Sequence, residues 1–171
     1  MVTQWGLRDD LVVRNESQIG DQLVDKTTVK GNKMGFMAEY QNNMDAKGRV
    51  IFPVKFREAI GNSFILTKGI DNNLTIYPMD EWKKVEAKLA NLKVANEGAR
   101  NLKRRLQGSA VTIEVDNQDR ISIPQNLRRF AGLEKEVLFI GQGEYIEVWS
   151  KSRYESIDDF DLSAALADID F

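Results

Sequence analysis

Short stretches of alternating apolar and polar residues run through the chain, and most are ended by Gly, Asp or Pro. Alternation of this kind predicts half-buried β-strands, because successive side chains of a strand point to opposite faces. The pattern therefore predicts a β-rich chain. The predicted strands are 37–44, 49–52, 64–67, 74–77, 110–115, 120–123, 136–140 and 145–149.

Proline marks the predicted helix starts. It suits the first helical position, where its missing N–H leaves no hydrogen bond unmade, and all three prolines of the chain precede a helical pattern. Pro53 opens a short helix over 54–60. Pro124 opens a matching helix that ends at Gly132, and Pro78 opens a longer one.

The longer helix has one apolar face at helical spacing, and a second, more basic helix follows it. We expect the apolar positions of the second helix to face inward and its basic positions to face solvent. The inward set is Ala99, Leu102 and Leu106, and the outward set is Lys103, Arg104 and Arg105.

One stretch of the chain occurs twice. The residues from Asp45 to Arg57 return as those from Asp116 to Arg128, at an offset of 71 residues. The apolar positions match as well, which indicates a duplicated folding unit. The aligned polar and proline pairs are Asp45 with Asp116, Arg49 with Arg120, Pro53 with Pro124 and Arg57 with Arg128.

Each copy is too small to bury a good core alone. We therefore expect the copies to interleave in one pseudo-symmetric α+β domain, with a closed, barrel-like sheet and short helices. The predicted parts are a flexible N-terminal arm (1–34), a first repeat domain (35–82), a helical connector (83–107), a second repeat domain (108–154) and an acidic tail (155–171).

The chain of 171 residues contains neither cysteine nor histidine. Their absence removes Ser-His-Asp and Cys-His catalysis and the usual zinc sites. No run of apolar residues is long enough for a membrane span, and no signal peptide is visible. We therefore expect a cytoplasmic binding protein with no catalytic residue, no metal site, no cofactor and no membrane contact.

The net charge of −2 hides an uneven distribution of charge. Residues 79–107 carry eight basic and four acidic side chains, whereas 157–171 carry five aspartates and no base. The basic segment is a candidate nucleic-acid surface. Its simpler interpretation is a solvated helix face, and that of the acidic tail is a disordered segment.

The repeated turn carries the candidate chemistry. Asp45 is expected to cap its own backbone and Gly48 to supply a positive φ, and Asp116 plays the part of Asp45 in the second copy. Arg49 would then stand at the tip of the turn. An arginine there can fork onto guanine O6 and N7 or onto phosphate. The candidate DNA-binding residues are Arg49, Lys47, Asn43, Arg57, Arg120, Arg128 and Arg129, with Asn42 beside them.

A plainer interpretation exists for the same residues. Asp45 can simply pair with Arg49 to brace a common turn, and duplication alone does not show DNA binding. The large aromatic residues Trp82, Trp149 and Tyr154 are expected in the core.

A series of short motifs runs between residues 34 and 154. They are Glu39-Tyr40, Asp45-x-x-x-Arg49, Pro53-x-x-Phe-Arg57, Tyr77-Pro78-x-x-Glu-Trp82, Gly108-Ser-Ala110, Asp116-x-x-x-Arg120-Ile-x-Ile-Pro124-x-x-Leu-Arg128, Ala131-Gly-Leu133 and Glu147-Val-Trp149. In order and spacing the series resembles the MraZ family, bacterial regulators of the division and cell-wall gene cluster. The resemblance does not cover the N-terminal arm or the acidic tail.

The resemblance implies two tandem SpoVT-AbrB-type domains of swapped-hairpin ancestry. It implies a nucleoid-associated, DNA-binding transcriptional regulator, usually a repressor. It also implies a ring-like homo-oligomer that reads direct repeats in promoter DNA. The family's binding residue, the arginine of Asp-x-x-x-Arg, maps onto Arg49 and Arg120.

The second copy departs from the first. Asp119 replaces Gly48, and Gln118 replaces Lys47. Asp tolerates the left-handed conformation, so the turn can survive, but its carboxylate is expected beside Arg120. We therefore expect the first turn to be the better DNA contact.

Two rival interpretations remain. One is an oligomeric protein-interaction module of the AbrB or antitoxin type that does not read DNA, with the acidic tail as a docking segment. The other is a hydrolase that uses Asp45 and nearby carboxylates, which the absence of a Gly-rich phosphate loop and of a ligand-spaced carboxylate cluster disfavours.

Overall fold

The computed structural model describes residues 35–157 and 162–169. Within these ranges, each predicted strand is present and its ends lie within two residues of the predicted ones. The strands are β1 (Glu39–Asn43), β2 (Arg49–Ile51), β3 (Ser63–Lys68), β4 (Leu74–Tyr77), β5 (Val111–Glu114), β6 (Arg120–Ser122), β7 (Glu136–Gly141) and β8 (Ile146–Ser150). The helices are α1 (Val54–Ile60), α2 (Met79–Ala90), α3 (Glu97–Leu106), α4 (Gln125–Ala131), α5 (Lys151–Glu155) and α6 (Leu162–Asp168).

The strands form an antiparallel six-stranded sheet, in the order β1-β7-β8-β4-β3-β5, and a two-stranded ribbon of β2 and β6. The two copies exchange their first strands. β1 of the first copy pairs with β7 of the second, so that Tyr40 lies opposite Phe139. β5 of the second copy pairs with β3 of the first, so that Phe64 lies opposite Ile113. The copies therefore share one sheet.

The six-stranded sheet is open, so the expected closed, barrel-like sheet is wrong. The copies meet at its centre, where β4 pairs with β8, and this leaves β1 and β5 at opposite edges. The expected pairing of β1 with β2 in a hairpin is reduced to a single bridge. Only Met44 and Val50 bridge these strands, because β2 leaves the sheet and pairs with β6 instead. The α+β, β-rich fold with pseudo-symmetric repeats is confirmed.

Aromatic and aliphatic side chains from both copies fill the main core, and a smaller separate cluster contains Leu138, Ile140 and Trp149. Phe52 is fully buried, and its ring centroid lies 4.9 Å from that of Phe64 and 5.7 Å from that of Phe139. Trp82 and Trp149 are buried as expected. The prolines before α1, α2 and α4 stand directly at the helix starts.

The basic helix α3 differs from its predicted orientation most clearly at Arg105, and Lys103 is half-buried as well. Arg105 was expected to face solvent, but its Nε donates to the Gly69 carbonyl at 2.8 Å and its guanidinium lies 4.9 Å from the centroid of the Phe130 ring. A guanidinium can satisfy carbonyl acceptors and an aromatic face together, which draws the side chain inward. Arg104 is exposed, as expected.

The predicted N-terminal arm lies outside the described residues. In the acidic tail, α6 is helical, and Leu166 and Ile169 are exposed. The division of the chain into five parts stays a prediction. No helix within the two described ranges is long and apolar enough to cross a membrane.

We expect Phe52→Ala to lower the free energy of unfolding by about 3–5 kcal/mol, because a buried phenylalanine leaves a cavity that its neighbours only partly fill. Urea denaturation measures the loss. The control is Val54→Ala, since Val54 is 54% exposed and such a change is expected to stay within about 0.5 kcal/mol. Equal losses for the two variants would contradict the central position of Phe52.

Candidate nucleic-acid interface

The first repeated turn is organised by the carboxylate of Asp45. Its Oδ1 accepts hydrogen bonds from the backbone N–H groups of Lys47 and Arg49, both at 2.9 Å. Its Oδ2 accepts from Arg49 Nε at 2.8 Å. Gly48 has a φ of 81°, which glycine adopts without steric cost. The turn thus fixes the arginine that follows it.

The second turn has the same hydrogen bonds. Asp116 Oδ1 accepts from the backbone N–H groups of Gln118 at 2.8 Å and of Arg120 at 2.9 Å. Asp116 Oδ2 accepts from Arg120 Nε at 2.9 Å and lies 2.8 Å from its Nη2. Asp119 takes the position of Gly48 with a φ of 60°.

Hydrogen bonds to the two turn carboxylates favour their charged forms. The backbone N–H of Arg49 contributes most to lowering the pKa of Asp45 below its usual value, and that of Arg120 does the same for the pKa of Asp116. Both aspartates are therefore ionised at neutral pH and hold their arginines by charge-assisted hydrogen bonds.

The ribbon of β2 and β6 brings the two motif arginines to one surface. Val50 pairs with Ile121, and both side chains are buried. Their neighbours alternate to the opposite face. Arg49 lies opposite Ser122, and Ile51, which is 51% exposed, lies opposite Arg120. We call this face, made of Arg49, Ile51, Arg120 and Ser122, the ribbon face.

Pairing with aspartate does not use up the guanidinium of Arg49. Its Nε donates to Asp45 Oδ2, while Nη1 and Nη2 donate no hydrogen bond to another residue in the described part of the chain. Arg120 uses both Nε and Nη2 on Asp116. Arg49 therefore keeps more hydrogen-bond donors for a ligand.

Three further candidates are exposed to solvent. Lys47 is exposed on the first turn, and Asn43 is exposed at the end of β1. Arg129 is exposed on α4. Asn42, beside Asn43, donates from Nδ2 to the Ile51 carbonyl at 2.8 Å, so it braces the ribbon.

Arg57 and Arg128 each reach across to the turn of the other copy. Arg57 forms an ion pair with Asp119, and its Nε donates to Asn62 Oδ1 at 3.0 Å. The Asp119 carboxylate, expected beside Arg120, is thus directed to Arg57. Arg128 packs against Gly48, where an added Cβ would lie 2.6 Å from its Nε.

Sequence analysis missed this crossed arrangement. The available signal was a pair of linked differences at the 71-residue offset, since Gly48 matches Asp119 and Asn62 matches Leu133. Among the described residues there is no group of three or more acidic side chains that could hold a metal ion.

A family profile described as "MraZ protein, putative antitoxin-like" matches residues 35–105 and again 106–170. The chain belongs to the MraZ family. A protein of Acetivibrio thermocellus named Transcriptional regulator MraZ is 53% identical over 121 residues, which cover 71% of this chain and 85% of that protein. The two tandem matches confirm the repeat seen in the sequence.

Other MraZ relatives agree with this assignment. Transcriptional regulator MraZ of Thermoanaerobacter sp. (strain X514) is 50% identical over 119 residues, covering 70% of this chain and 83% of the relative. Its counterpart from Clostridium tetani is 45% identical over 127 residues, covering 74% and 89%.

We expect Asp45→Asn to destabilise the protein at neutral pH and to have a smaller effect in acid. A lowered folded-state pKa gives stability that is present above the unfolded aspartate pKa of about 3.9 and is lost as the pH falls through the folded value. Urea denaturation at pH 7 and pH 3 measures this difference, with Asp116→Asn as the matched variant. An equal effect at both pH values would contradict the role of the charge.

Proposed function

We propose that this chain is a sequence-specific DNA-binding transcriptional regulator of the bacterial division and cell-wall gene cluster, and that it acts as a repressor. The observation that carries the proposal is the ribbon face, on which Arg49 and Arg120 share one surface and are each held by an aspartate. The MraZ relatives are named transcriptional regulators, which supports the same conclusion.

The geometry suits base recognition. A two-stranded β-ribbon fits the major groove of B-DNA, and an arginine presented there can form two hydrogen bonds to guanine O6 and N7. Asp45 restrains the Arg49 side chain through Nε, so less rotamer freedom is lost on binding. Arg49 is the principal base contact in this proposal, and Arg120 is a secondary one.

Phosphate contacts complete the proposed interface. Lys47, Asn43 and Arg129 are exposed and polar or basic, as residues that position a protein on the DNA backbone are. We further propose a cytoplasmic, nucleoid-associated ring of identical chains that binds promoter direct repeats. Repeated weak contacts then act together, which suits a chain that has no net positive charge to attract DNA, its net charge being −2.

A second candidate function is an oligomeric protein-interaction module that does not read DNA. The family description as antitoxin-like favours it, as do the exposed apolar residues Leu166 and Ile169 of the acidic tail. Affinity capture that recovers one stoichiometric protein partner, together with no DNA binding, would support this candidate over the first.

We expect Arg49→Ala to weaken binding to the promoter of the chain's own gene cluster by about 5- to 150-fold, since a bidentate arginine–guanine contact is worth about 1–3 kcal/mol. Mobility-shift assays and footprinting measure binding, and size-exclusion chromatography checks the oligomer. The matched control is Arg104→Ala, on the exposed side of α3. Wild-type affinity in Arg49→Ala, or an equal loss in Arg104→Ala, would contradict the role of the ribbon face.

A further inference from the structure

One arginine of the repeat has different side-chain neighbours in the two copies. Arg57 and Arg128 occupy equivalent positions, and each contacts the turn of the opposite copy. The backbone around them is matched as well. Phe52 N donates to the Asp119 carbonyl at 2.7 Å, and Ile123 N donates to the Gly48 carbonyl at 2.9 Å. The backbone around the two arginines is therefore the same, and only the side chains that surround them differ.

Arg57 has two side-chain partners inside the protein. The Asp119 carboxylate pairs with Nη1, and Asn62 Oδ1 accepts from Nε at 3.0 Å. The residues equivalent to these partners around Arg128 are Gly48 and Leu133. Neither has a side chain that can accept a hydrogen bond, so Arg128 has lost both acceptors at once.

Arg128 is nevertheless half-buried. Its Nε is buried and has no hydrogen-bond partner among the residues that the structure describes. Its guanidinium lies so close to Gly48 that an added Cβ would approach Nε and Cζ to 2.6 Å. Arginine is always charged, and a buried donor without an acceptor is costly. Such a group is predisposed to bind an anion.

We propose that Arg128 and the first turn form a binding site for a phosphate group of DNA, and that Asp119 fills the equivalent site in the other copy with a carboxylate. The inference rests on the proposed function. Phosphate oxygens match the donor geometry of a guanidinium. Lys47 and Arg49, on either side of Gly48, add positive charge at the same turn.

The test compares Arg128→Gln with its matched control Arg57→Gln. Binding to the promoter duplex is measured at several salt concentrations to obtain the salt slope, which is the magnitude of the fall in log K per unit of log salt. Each lost phosphate contact lowers this slope by about one. We expect Arg128→Gln to lower the slope by about one per bound chain and to weaken binding about tenfold at low salt. Arg57→Gln should leave the slope unchanged and lower the denaturation midpoint.

Two turn variants test the site without removing an arginine. Gly48→Asp supplies Arg128 with the carboxylate that Arg57 already has, in a backbone conformation that Asp119 shows to be accessible. The end of the flexible Arg128 side chain must shift to make room for the added Cβ. We expect it to lower the salt slope as Arg128→Gln does. Asp119→Gly frees Arg57 and is expected to raise the slope by about one per bound chain. Circular dichroism and denaturation confirm that each variant is folded.

The outcomes separate the two proposals. If wild type binds the promoter but Arg128→Gln and Gly48→Asp keep its slope, the phosphate site is wrong while the proposed function stands. If wild type binds no DNA, both proposals fail. If Arg128→Gln changes the size of the oligomer and not the slope, the anion is a carboxylate of a second copy, which overturns the assignment to DNA phosphate.

Discussion

The fold depends on the packing of Val50 against Ile121 at the centre of the β2–β6 ribbon. This apolar pair joins the two copies in the ribbon, while the β4–β8 pairing joins them in the six-stranded sheet. With their first strands exchanged, neither copy has a complete sheet alone. Burial of apolar surface between the copies is therefore the main force that holds the domain together.

The packing of the ribbon also determines where its charged side chains lie. Because Val50 and Ile121 must point inward, Arg49 and Arg120 must point outward on adjacent strands. Each arginine is then fixed by the aspartate that closes its own turn. The buried ribbon residues fix the positions of the two arginines, and the turn aspartates fix the orientations of their side chains. Two cations can therefore be placed on one face without a high net charge of the whole chain.

Much of the fold and part of the site could be predicted from the sequence. Alternation located the strands, the prolines located three helix starts, and the repeat revealed two copies. Strand pairing was harder to predict, because period-two patterns show which face of a strand is buried and not which strand lies beside it. The closed barrel was expected from the short strands and small helices, which do not determine the strand order.

The details of the site depended on contacts between distant residues. Arg105 was assigned to solvent from its place on a helix, whereas the Phe130 ring that attracts it comes from the other copy. The Arg57–Asp119 pair likewise joins residues 62 positions apart. Helical spacing and local turn rules contain no information about such partners, although comparing the copies residue by residue identifies where they differ.

The difference between Gly48 and Asp119 also makes the two turns of the pseudo-symmetric domain unequal. A dimer of identical half-chains would place the same residue in both turns, and its twofold axis would make the two ends of a bound duplex equivalent. Joining the halves in one polypeptide lets each turn mutate independently. In the proposed DNA complex, a surface with unequal ends would distinguish the two directions of a duplex, and successive copies of that surface would favour sites that repeat in one orientation over inverted sites.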